Sequence, residues 1–411
     1  MIRRVVITGV GFVSSLAQDA PSTWARMLEG ACAIGPLTKL KMPGEPAQMA
    51  AEVHLPAEVH LPEDPEVVGI VRINRRVTLG EIMALMSLRE ALRTTPGPKG
   101  LDPRRMGAFQ GAGTSGLPAA EAYTQGRMAG RFPGPANAIY QGPTTITDAL
   151  GKALGATGPR STVMTACSSS LMALGQAWER IAFGELDLAV AGGAETLCMT
   201  TYAGFSSLKA MDPGLCRPFS RDRAGLNLGE GSAQFILEPL EQAMARGADI
   251  YAEVRGYGAS LDAHHSTAPH PEGEGATKAL RMAMDCAGFN PDDVDLVSAH
   301  GTATPANDGS ETAAIKAALG EAAVRVSVTS TKSQFGHTLG ASGAVGTFAA
   351  VMALRTGVVS PTLRLEHPDP ACDLDYTPLH ARKRGVRAAL VNAFAFGGNN
   401  ACVALKRWEG R

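Results

Sequence analysis

Short runs of β-branched and other apolar residues recur along the chain and predict buried β-strands. The predicted strands are residues 5–10, 105–111, 161–166, 187–192, 250–258, 296–300, 326–329 and 388–393. Longer segments rich in Ala, Leu and Met lie between these runs and predict helices. The predicted helices are residues 78–93, 168–183, 275–288 and 310–320. Alternation of strands with helices is typical of an α/β fold with buried, mainly parallel strands.

Two segments of the chain resemble each other in pattern. Residues 161–171 run from a strand through a small-residue turn into a helix, and residues 326–353 repeat the order of strand, small polar turn and Ala/Gly-rich segment. A chain of 411 residues also exceeds the roughly 250–300 residues at which single cores stop growing. We therefore predict two halves, residues 1–250 and residues 251–411.

Charge and hydropathy exclude several classes of function. Lys and Arg number 38 and Asp and Glu number 39, so the formal net charge is −1, whereas a nucleic-acid-binding protein normally carries a basic excess. No run reaches the roughly 18 apolar residues of a membrane span. The first residues have the basic start of a signal peptide, but Thr8, Gly9 and Gly11 interrupt the apolar stretch, and a first strand explains them as well. We expect neither a nucleic-acid partner nor a membrane.

The seven cysteines form no C-x-x-C pair, and their odd number argues against a disulfide framework or a structural zinc site. A reducing, cytoplasmic compartment fits this composition. Cys167 stands between a predicted strand and a predicted helix, where the helix dipole and free N–H groups favour a thiolate. A nucleophile needs that ionised form. The alternative is a small core residue, which is our interpretation of Cys198 and Cys402.

Two histidines follow predicted elements in small-residue surroundings. His300 ends a strand and precedes Gly-Thr-Ala-Thr-Pro, and His337 lies between Phe-Gly and Thr-Leu-Gly-Ala-Ser-Gly. Together with Cys167 they can supply one nucleophile and two imidazole donors, although two unrelated turn histidines remain the alternative. His264 and His265 lack the spacing and the carboxylate neighbour of a metal site, and we expect no metal.

Four motifs occur in order along the chain: Thr-Ala-Cys-Ser-Ser-Ser at 165–170, His-Gly-Thr-Ala-Thr-Pro at 300–305, Lys-x-x-x-Gly-His-x-x-Gly-Ala-Ser-Gly at 332–343 and Asn-Ala-Phe-Ala-Phe-Gly-Gly-Asn-Asn at 392–400. This set resembles the elongating type II β-ketoacyl-acyl-carrier-protein synthases, which use a Cys-His-His triad. The resemblance implies an α/β thiolase-like fold of two pseudo-repeated halves in five layers, α-β-α-β-α.

The resemblance also implies an acyltransferase that performs a decarboxylative Claisen condensation. The growing acyl chain would be a thioester on Cys167, which a malonyl unit attacks as it loses its carboxylate. His300 and His337 would donate to the malonyl thioester oxygen, both as neutral imidazoles with the proton on Nε2. The backbone N–H groups of Cys167 and Phe396 would form a second oxyanion hole.

Further site residues are implied by the same resemblance. Lys332 would pair with Glu311 and order the site. The residues implied to contact substrate are Thr302, Thr304, Phe394, Phe396 and Thr114. Thr302 and Thr304 would bind the phosphopantetheine arm, Phe396 would gate the entrance, and Thr114 would line the acyl pocket.

The gating loop departs from the family pattern. Ala395 replaces the usual Gly before the gating Phe, and Asn399 replaces the usual Thr. Because Ala adopts positive φ only at a cost, we expect altered selection of starter or chain length.

Partners follow from the resemblance and from charge. Arg72, Arg75 and Arg76 share one helix face and would steer an acidic acyl carrier protein, although a merely solvated face is the alternative. No cofactor would be bound, because the substrates arrive on the phosphopantetheine of the carrier. A homodimer, or a heterodimer with a chain-length-factor-like subunit, is expected.

Two other functions remain open. A degradative thiolase needs a second Cys in a Cys-x-Gly context, which Cys402 lacks. A non-catalytic chain-length-factor-like subunit has lost the nucleophile that Cys167 would supply. Fatty-acid and type II polyketide synthesis use the same triad, so the sequence leaves the pathway open.

Overall fold

The structure is a computed structural model that describes residues 2–42, 48–56, 78–93, 100–132 and 142–410. The basic helix face predicted at Arg72, Arg75 and Arg76 lies outside these residues.

The strands and helices of the described residues are numbered here in chain order. The strands are β1 (Val5–Ser14), β2 (Gly35–Pro36), β3 (Met49–Ala51), β4 (Met106–Gly111), β5 (Arg160–Val163), β6 (Leu188–Glu195), β7 (Leu228–Gly229), β8 (Gly231–Pro239), β9 (Ala252–Leu261), β10 (Leu296–Ser298), β11 (Ser327–Thr329), β12 (Val358–Val359), β13 (Arg382–Lys383), β14 (Ala388–Ala395) and β15 (Asn399–Lys406). The helices are α1 (Ala20–Leu28), α2 (Leu79–Arg93), α3 (Leu117–Met128), α4 (Thr145–Ala153), α5 (Ser169–Ala182), α6 (Met199–Ser207), α7 (Leu240–Ala245), α8 (Glu274–Ala287), α9 (Pro305–Leu319), α10 (Lys332–Phe335) and α11 (Ser342–Thr356).

Two five-stranded units make up the main sheet, in the order β11-β10-β14-β15-β9-β1-β8-β6-β4-β5. They meet where β1 pairs with β9, with Val5 opposite Val254 and Ile7 opposite Ala252. Each unit has five strands, which can be numbered first to fifth along the chain. From the junction outward, both units have the order first, fifth, fourth, second, third. The predicted repetition of two halves is therefore present in the topology. The division near residue 250 stays a prediction; the second unit begins with β9.

Helices complete five layers around the two units. Helices α2 and α4 pack on the first unit, and α8 and α9 pack together on the second. Helices α5 and α11 contact each other and strands of both units, so they form the middle layer. Their apolar side chains join both units in one buried cluster. The predicted α-β-α-β-α arrangement is confirmed.

The prediction of mainly parallel strands is wrong. Strands β4, β5 and β6 are parallel, as are β10, β11 and β14. Strand β8 runs antiparallel to β1 and β6, and β15 runs antiparallel to β9 and β14. The sequence analysis missed β8 and β15. Only three residues separate β14 from β15, and so short a connection joins antiparallel neighbours.

The two middle helices begin in the same way. A residue with positive φ, Ala166 (51°) or Leu339 (46°), opens each turn, a short 3₁₀ segment follows, and α5 or α11 then begins. Gly111 at the end of β4 permits close contact with α5, because a Cβ at Gly111 would lie 2.2 Å from the backbone nitrogen of Ser170. This geometry places the predicted nucleophile and the second histidine at the starts of adjacent helices.

The second middle helix is more apolar than the sequence analysis recognised. Residues Leu339–Thr356 are long and apolar enough for a membrane span by length and composition, and 83% of them are buried in the protein. Their position between the two units is that of a core helix.

Candidate active site

The structure brings together Cys167, His300 and His337, which come from both halves. All three are buried, and their ligand atoms lie within 4.8 Å of one another. His337 Nε2 lies 3.0 Å from Cys167 Sγ, and the two imidazole rings meet nearly at right angles with centroids 5.3 Å apart. One sulfur therefore faces two imidazoles in a single site.

The backbone fixes the tautomer of His337. Its Nδ1 accepts the N–H of Leu339 at 3.0 Å, so a neutral His337 carries its proton on Nε2. Burial, aided by the charge of Lys332, holds the pKa of both His300 and His337 well below the usual range. His337 is thus a neutral donor whose Nε2–H points at the sulfur, whereas Nδ1 of His300 is buried without a hydrogen-bond partner.

Burial outweighs the helix terminus at Cys167. The sequence analysis expected the helix end to favour the thiolate, but desolvation raises the pKa of the thiol to about 11. The charge of Lys332 and the backbone N–H groups of Phe396 and Cys167, which donate to the sulfur, act in the opposite direction. The prediction of a thiolate at Cys167 is therefore wrong for the substrate-free protein, because a thiol with this pKa is protonated at neutral pH.

Lys332 and Glu311 support the His300 turn from two sides. The carboxylate of Glu311 accepts the backbone N–H of His300 at 2.8 Å and that of Gly301 at 2.7 Å, and Lys332 Nζ donates to the carbonyl of His300. Both side chains bind the backbone of this turn, and the negative charge of Glu311 also attracts the Lys332 ammonium. The predicted pairing of Lys332 with Glu311 stays a prediction. Burial lowers the pKa of Lys332 to about 8 and raises that of Glu311.

Phe396 lies at the entrance, in the connection between β14 and β15. Its ring stacks on Phe205 of α6 with centroids 5.5 Å apart, and the Phe205 ring also lies 6.5 Å from that of His337. Ala395 has φ −134°, an extended conformation that any residue adopts. The Ala for Gly replacement is therefore unstrained in this conformation, and its predicted effect on chain selection stays a prediction.

A cavity of about 250 Å³ opens from the triad. Thr302 and Thr304 line it, with their hydroxyl oxygens 2.9 Å apart. Phe394 lines it beside His300, with ring centroids 6.0 Å apart. Thr114 is not among the residues that line this cavity, and its N–H and hydroxyl donate to Glu195. The role predicted for Thr114 in the acyl pocket stays a prediction.

Sequence reasoning missed three residues at the entrance. Phe205 stacks on Phe396, and the Asp262 carboxylate accepts a hydrogen bond from Asn400 Nδ2 at 2.7 Å. The backbone N–H of Asp262 also donates to the Gly398 carbonyl at 2.9 Å. Asn400 belongs to the quoted 392–400 motif, whereas nothing in the local sequence singles out Phe205 or Asp262.

The three site residues also have metal-binding side chains. Cys and His are the ligands of zinc sites, and their spacing here is short enough to hold an ion. The Leu339 N–H opposes this use, since it keeps the proton on the Nε2 of His337 that faces the sulfur. The residues therefore fit a donor site better than a metal site, and the expectation of no metal stays a prediction.

Two family models match this chain. "Beta-ketoacyl synthase, N-terminal domain" covers residues 2–243, and "Beta-ketoacyl synthase, C-terminal domain" covers residues 251–366.

Individual relatives cover nearly the whole chain. Nodulation protein E of Rhizobium sp. (strain N33) is 40% identical over 99% of this chain and 100% of its own length. The 3-oxoacyl-[acyl-carrier-protein] synthase 2 of Synechocystis sp. (strain ATCC 27184 / PCC 6803 / Kazusa) is 36% identical over 99% of both. The solved ishigamide ketosynthase/chain length factor superposes with a TM-score of 0.90 at 32% identity and covers 100% of both chains.

These matches confirm the predicted family and fold class. They extend over both halves and over all four motifs on which the resemblance was based. The chain is an acyltransferase of the ketosynthase type and belongs to the β-ketoacyl synthase family.

Proposed function

We propose that this chain extends an acyl chain held as a thioester on Cys167 by decarboxylative condensation with a malonyl unit. The observation that carries the proposal is the contact between Cys167 Sγ and the Nε2–H of His337 at 3.0 Å, with His300 beside it. A buried thiol, two neutral imidazole donors and an apolar cavity suit thioester chemistry better than metal or hydride chemistry.

The first step loads the enzyme. The sulfur of Cys167 attacks the acyl thioester on the carrier, a new C–S bond forms, and the carrier thiol leaves with the proton that Cys167 gives up. Negative charge collects on the acyl oxygen as this happens. The N–H groups of Cys167 and Phe396 converge on the sulfur and are our candidates for the donors that stabilise that oxygen.

The second step forms the carbon–carbon bond. The malonyl carboxylate leaves as CO₂, the remaining enolate attacks the acyl carbon, and the bond from that carbon to Cys167 breaks. The sulfur leaves as a thiolate and takes up a proton from solvent, which restores the resting thiol. Charge builds on the malonyl thioester oxygen during loss of CO₂. Neutral N–H donors from His300 and His337 would stabilise it, and burial keeps both imidazoles neutral.

The support for His300 defines the roles proposed for Lys332 and Glu311. Lys332 binds the backbone carbonyl of His300, and Glu311 binds its backbone N–H. We assign them to positioning rather than to proton transfer.

We infer that both substrates arrive on the phosphopantetheine of an acyl carrier protein. The hydroxyls of Thr302 and Thr304 line the approach to the triad and suit the amides of that arm. Lys209 is exposed and lies between Leu208 and Ala210, which line the entrance. Together with the proposed docking residues Arg72, Arg75 and Arg76, it would attract an acidic carrier.

We propose that the chain works as a homodimer or beside a chain-length-factor-like subunit. The name of the solved ishigamide relative includes such a factor. The complete triad favours the catalytic role for this chain over the scaffold role. Cys402 lacks the Cys-x-Gly context and lies outside the group of Cys167, His300 and His337, which favours condensation over degradative thiolysis. All seven cysteines are free, which supports a reducing cytoplasm.

Product analysis tests the proposal. The enzyme is incubated with malonyl-carrier protein and a series of acyl-carrier proteins, and the products are identified by mass. We expect a 3-oxoacyl product two carbons longer than the starter, absent with C167A. Products that lack the added carbons, such as free acid alone, would instead indicate a hydrolase.

A further inference from the structure

The end of β6 carries a buried acid that the proposed reaction does not use. Glu195 is the last residue of β6 and is 1% exposed. Its carboxylate accepts the backbone N–H groups of Gly113, Thr114 and Gly340, together with the Thr114 hydroxyl. Three backbone donors on one buried carboxylate hold the chain segments that supply them in fixed positions.

One group of donors belongs to the first half. Thr114, whose N–H lies 2.9 Å from Glu195 Oε2, follows the end of β4. The neighbouring Ala112 carbonyl accepts a hydrogen bond from Ser169 Oγ at 3.2 Å. Ser169 is two residues from Cys167 at the start of α5, so Glu195 is connected to the turn that carries the nucleophile.

The other donor belongs to the second half. Gly340 follows Leu339, whose N–H fixes the tautomer of His337. The approach is close, because a Cβ at Gly340 would lie 2.6 Å from Glu195 Oε1. Glu195 therefore links the His337 turn to the Cys167 turn from behind the sulfur–imidazole pair.

The charge of Glu195 also reaches the sulfur. Burial raises the pKa of Glu195 to about 7, and its negative charge raises the pKa of Cys167 while that of Lys332 lowers it. The titratable groups on the turns around it are Cys167 and His337, with Lys332 on α10 beyond. The thiol thus interacts with one buried negative charge and one buried positive charge.

We propose that Glu195 is a positioning residue for this reaction: its carboxyl group clamps the Cys167 turn to the His337 turn, and its negative charge restrains ionisation of the thiol. The inference rests on the proposed function only where turnover is concerned, since the clamp and the charge act on the thiol in the absence of any substrate.

Two substitutions separate the clamp from the charge. Glu195→Gln keeps an oxygen at the Oε1 position, which accepts the N–H of Gly113 and lies 3.2 Å from that of Thr114. Its amide nitrogen can donate to the Thr114 hydroxyl, which then donates to the Thr196 carbonyl 3.0 Å away. The clamp remains and the charge is lost. Glu195→Ala removes both.

The experiment measures alkylation of Cys167 by iodoacetamide against pH, followed by the mass of the Cys167 peptide so that exposed cysteines do not contribute. We expect the E195Q profile to move to lower pH, with a rate at about pH 9, where Glu195 of the wild type is ionised, about threefold or more above wild type. For E195A we expect kcat for condensation to fall about tenfold or more, with the KM for malonyl-carrier protein changed less than about twofold.

Glu90→Gln is the matched control. Glu90 is a half-buried carboxyl on α2 that accepts two backbone N–H groups, from Phe12 and Ala20, away from the site. E90Q should leave the alkylation profile unchanged. Coincident profiles for wild type, E195Q and E90Q would overturn the proposal, and if E195A does not fold, the E195Q profile alone decides. A shifted E195Q profile in an enzyme that makes no condensation product would support the charge effect while rejecting the proposed function.

Discussion

At the scale of single residues, the site depends on the different surroundings of its two histidines. His337 is the hydrogen-bond partner of the Cys167 sulfur, and the backbone fixes its tautomer. His300 lies beside the sulfur without a hydrogen bond to it, and its turn is held by Lys332 and Glu311. The sequence motifs contain Cys167, His300, Lys332 and His337, and the family resemblance implied Glu311. They could not give the pKa of the thiol, because desolvation depends on the packing of both halves around it.

This difference predicts separable effects on the two steps. His300→Ala should leave transfer of an acyl chain to Cys167 within about threefold of wild type, while it slows malonyl decarboxylation by about 10²-fold or more, since one donor to the developing oxyanion is lost. His337→Ala should slow both steps. Rapid-quench measurement of acyl-enzyme formation and of CO₂ release would detect the split, and equal losses in both steps for the two variants would contradict it.

Burial of Lys332 predicts a pH dependence of stability. Its pKa is about 8 in the folded protein and 10.5 when unperturbed, so between these values the unfolded chain binds the proton and the folded chain does not. The free energy of unfolding should therefore gain a contribution as pH rises from 8 to 10.5. Lys332→Met should remove this rise, which urea titrations of both proteins at several pH values would measure. Parallel pH profiles for the two proteins would contradict the assignment.

At the scale of elements, the close contact of β4 with α5 sets the position of the nucleophile. Alternating strands and helices, the turn at Cys167 and the strand before His300 were all predicted from apolar patterns. The patterns missed β8 and β15, because polar residues such as Gln234 and Asn400 shorten the apolar runs of these buried strands. They also could not show that Ala395 is extended, because φ at the end of β14 is set by pairing with β15.

Gly111 tests this contact. Gly111→Ala would place a Cβ 2.2 Å from the Ser170 backbone nitrogen, so the start of α5 must move. We expect a loss of about 2 kcal/mol or more in the free energy of unfolding, together with slower acylation of Cys167. Gly309→Ala is the control, because its Cβ meets open space within α9. Chemical denaturation should show it to be as stable as wild type or more so, and equal stability of the two variants would contradict the packing argument.

At the scale of the whole molecule, the two halves repeat one topology and contribute different groups to one site. The first half supplies Cys167, and the second supplies His300 and His337. The family resemblance led to this arrangement because four motifs recur in order. Local pattern alone cannot show which turns lie together. The contact of α5 with α11 depends on tertiary packing between two helices that are more than a hundred residues apart in the chain.

Carrier docking belongs to the same scale. Reversal of Arg72, Arg75 and Arg76 to Glu should raise the KM for carrier-linked substrates about tenfold or more, because it removes steering of an acidic partner. Small acyl thioesters serve as the internal control and should be used with nearly unchanged KM. Steady-state kinetics with both substrate classes would decide, and equal effects on both classes would reject the docking role.

The most direct test of the account is whether the acyl chain resides on the sulfur of Cys167. The enzyme is mixed with acyl-carrier protein alone, and its intact mass and digested peptides are measured before and after malonyl-carrier protein is added. We predict a single acyl mass on the peptide that contains Cys167, which disappears when the malonyl substrate arrives and the elongated product forms. An acyl group on another residue, or an acyl-enzyme at Cys167 that persists unchanged in the presence of malonyl-carrier protein, would contradict the account.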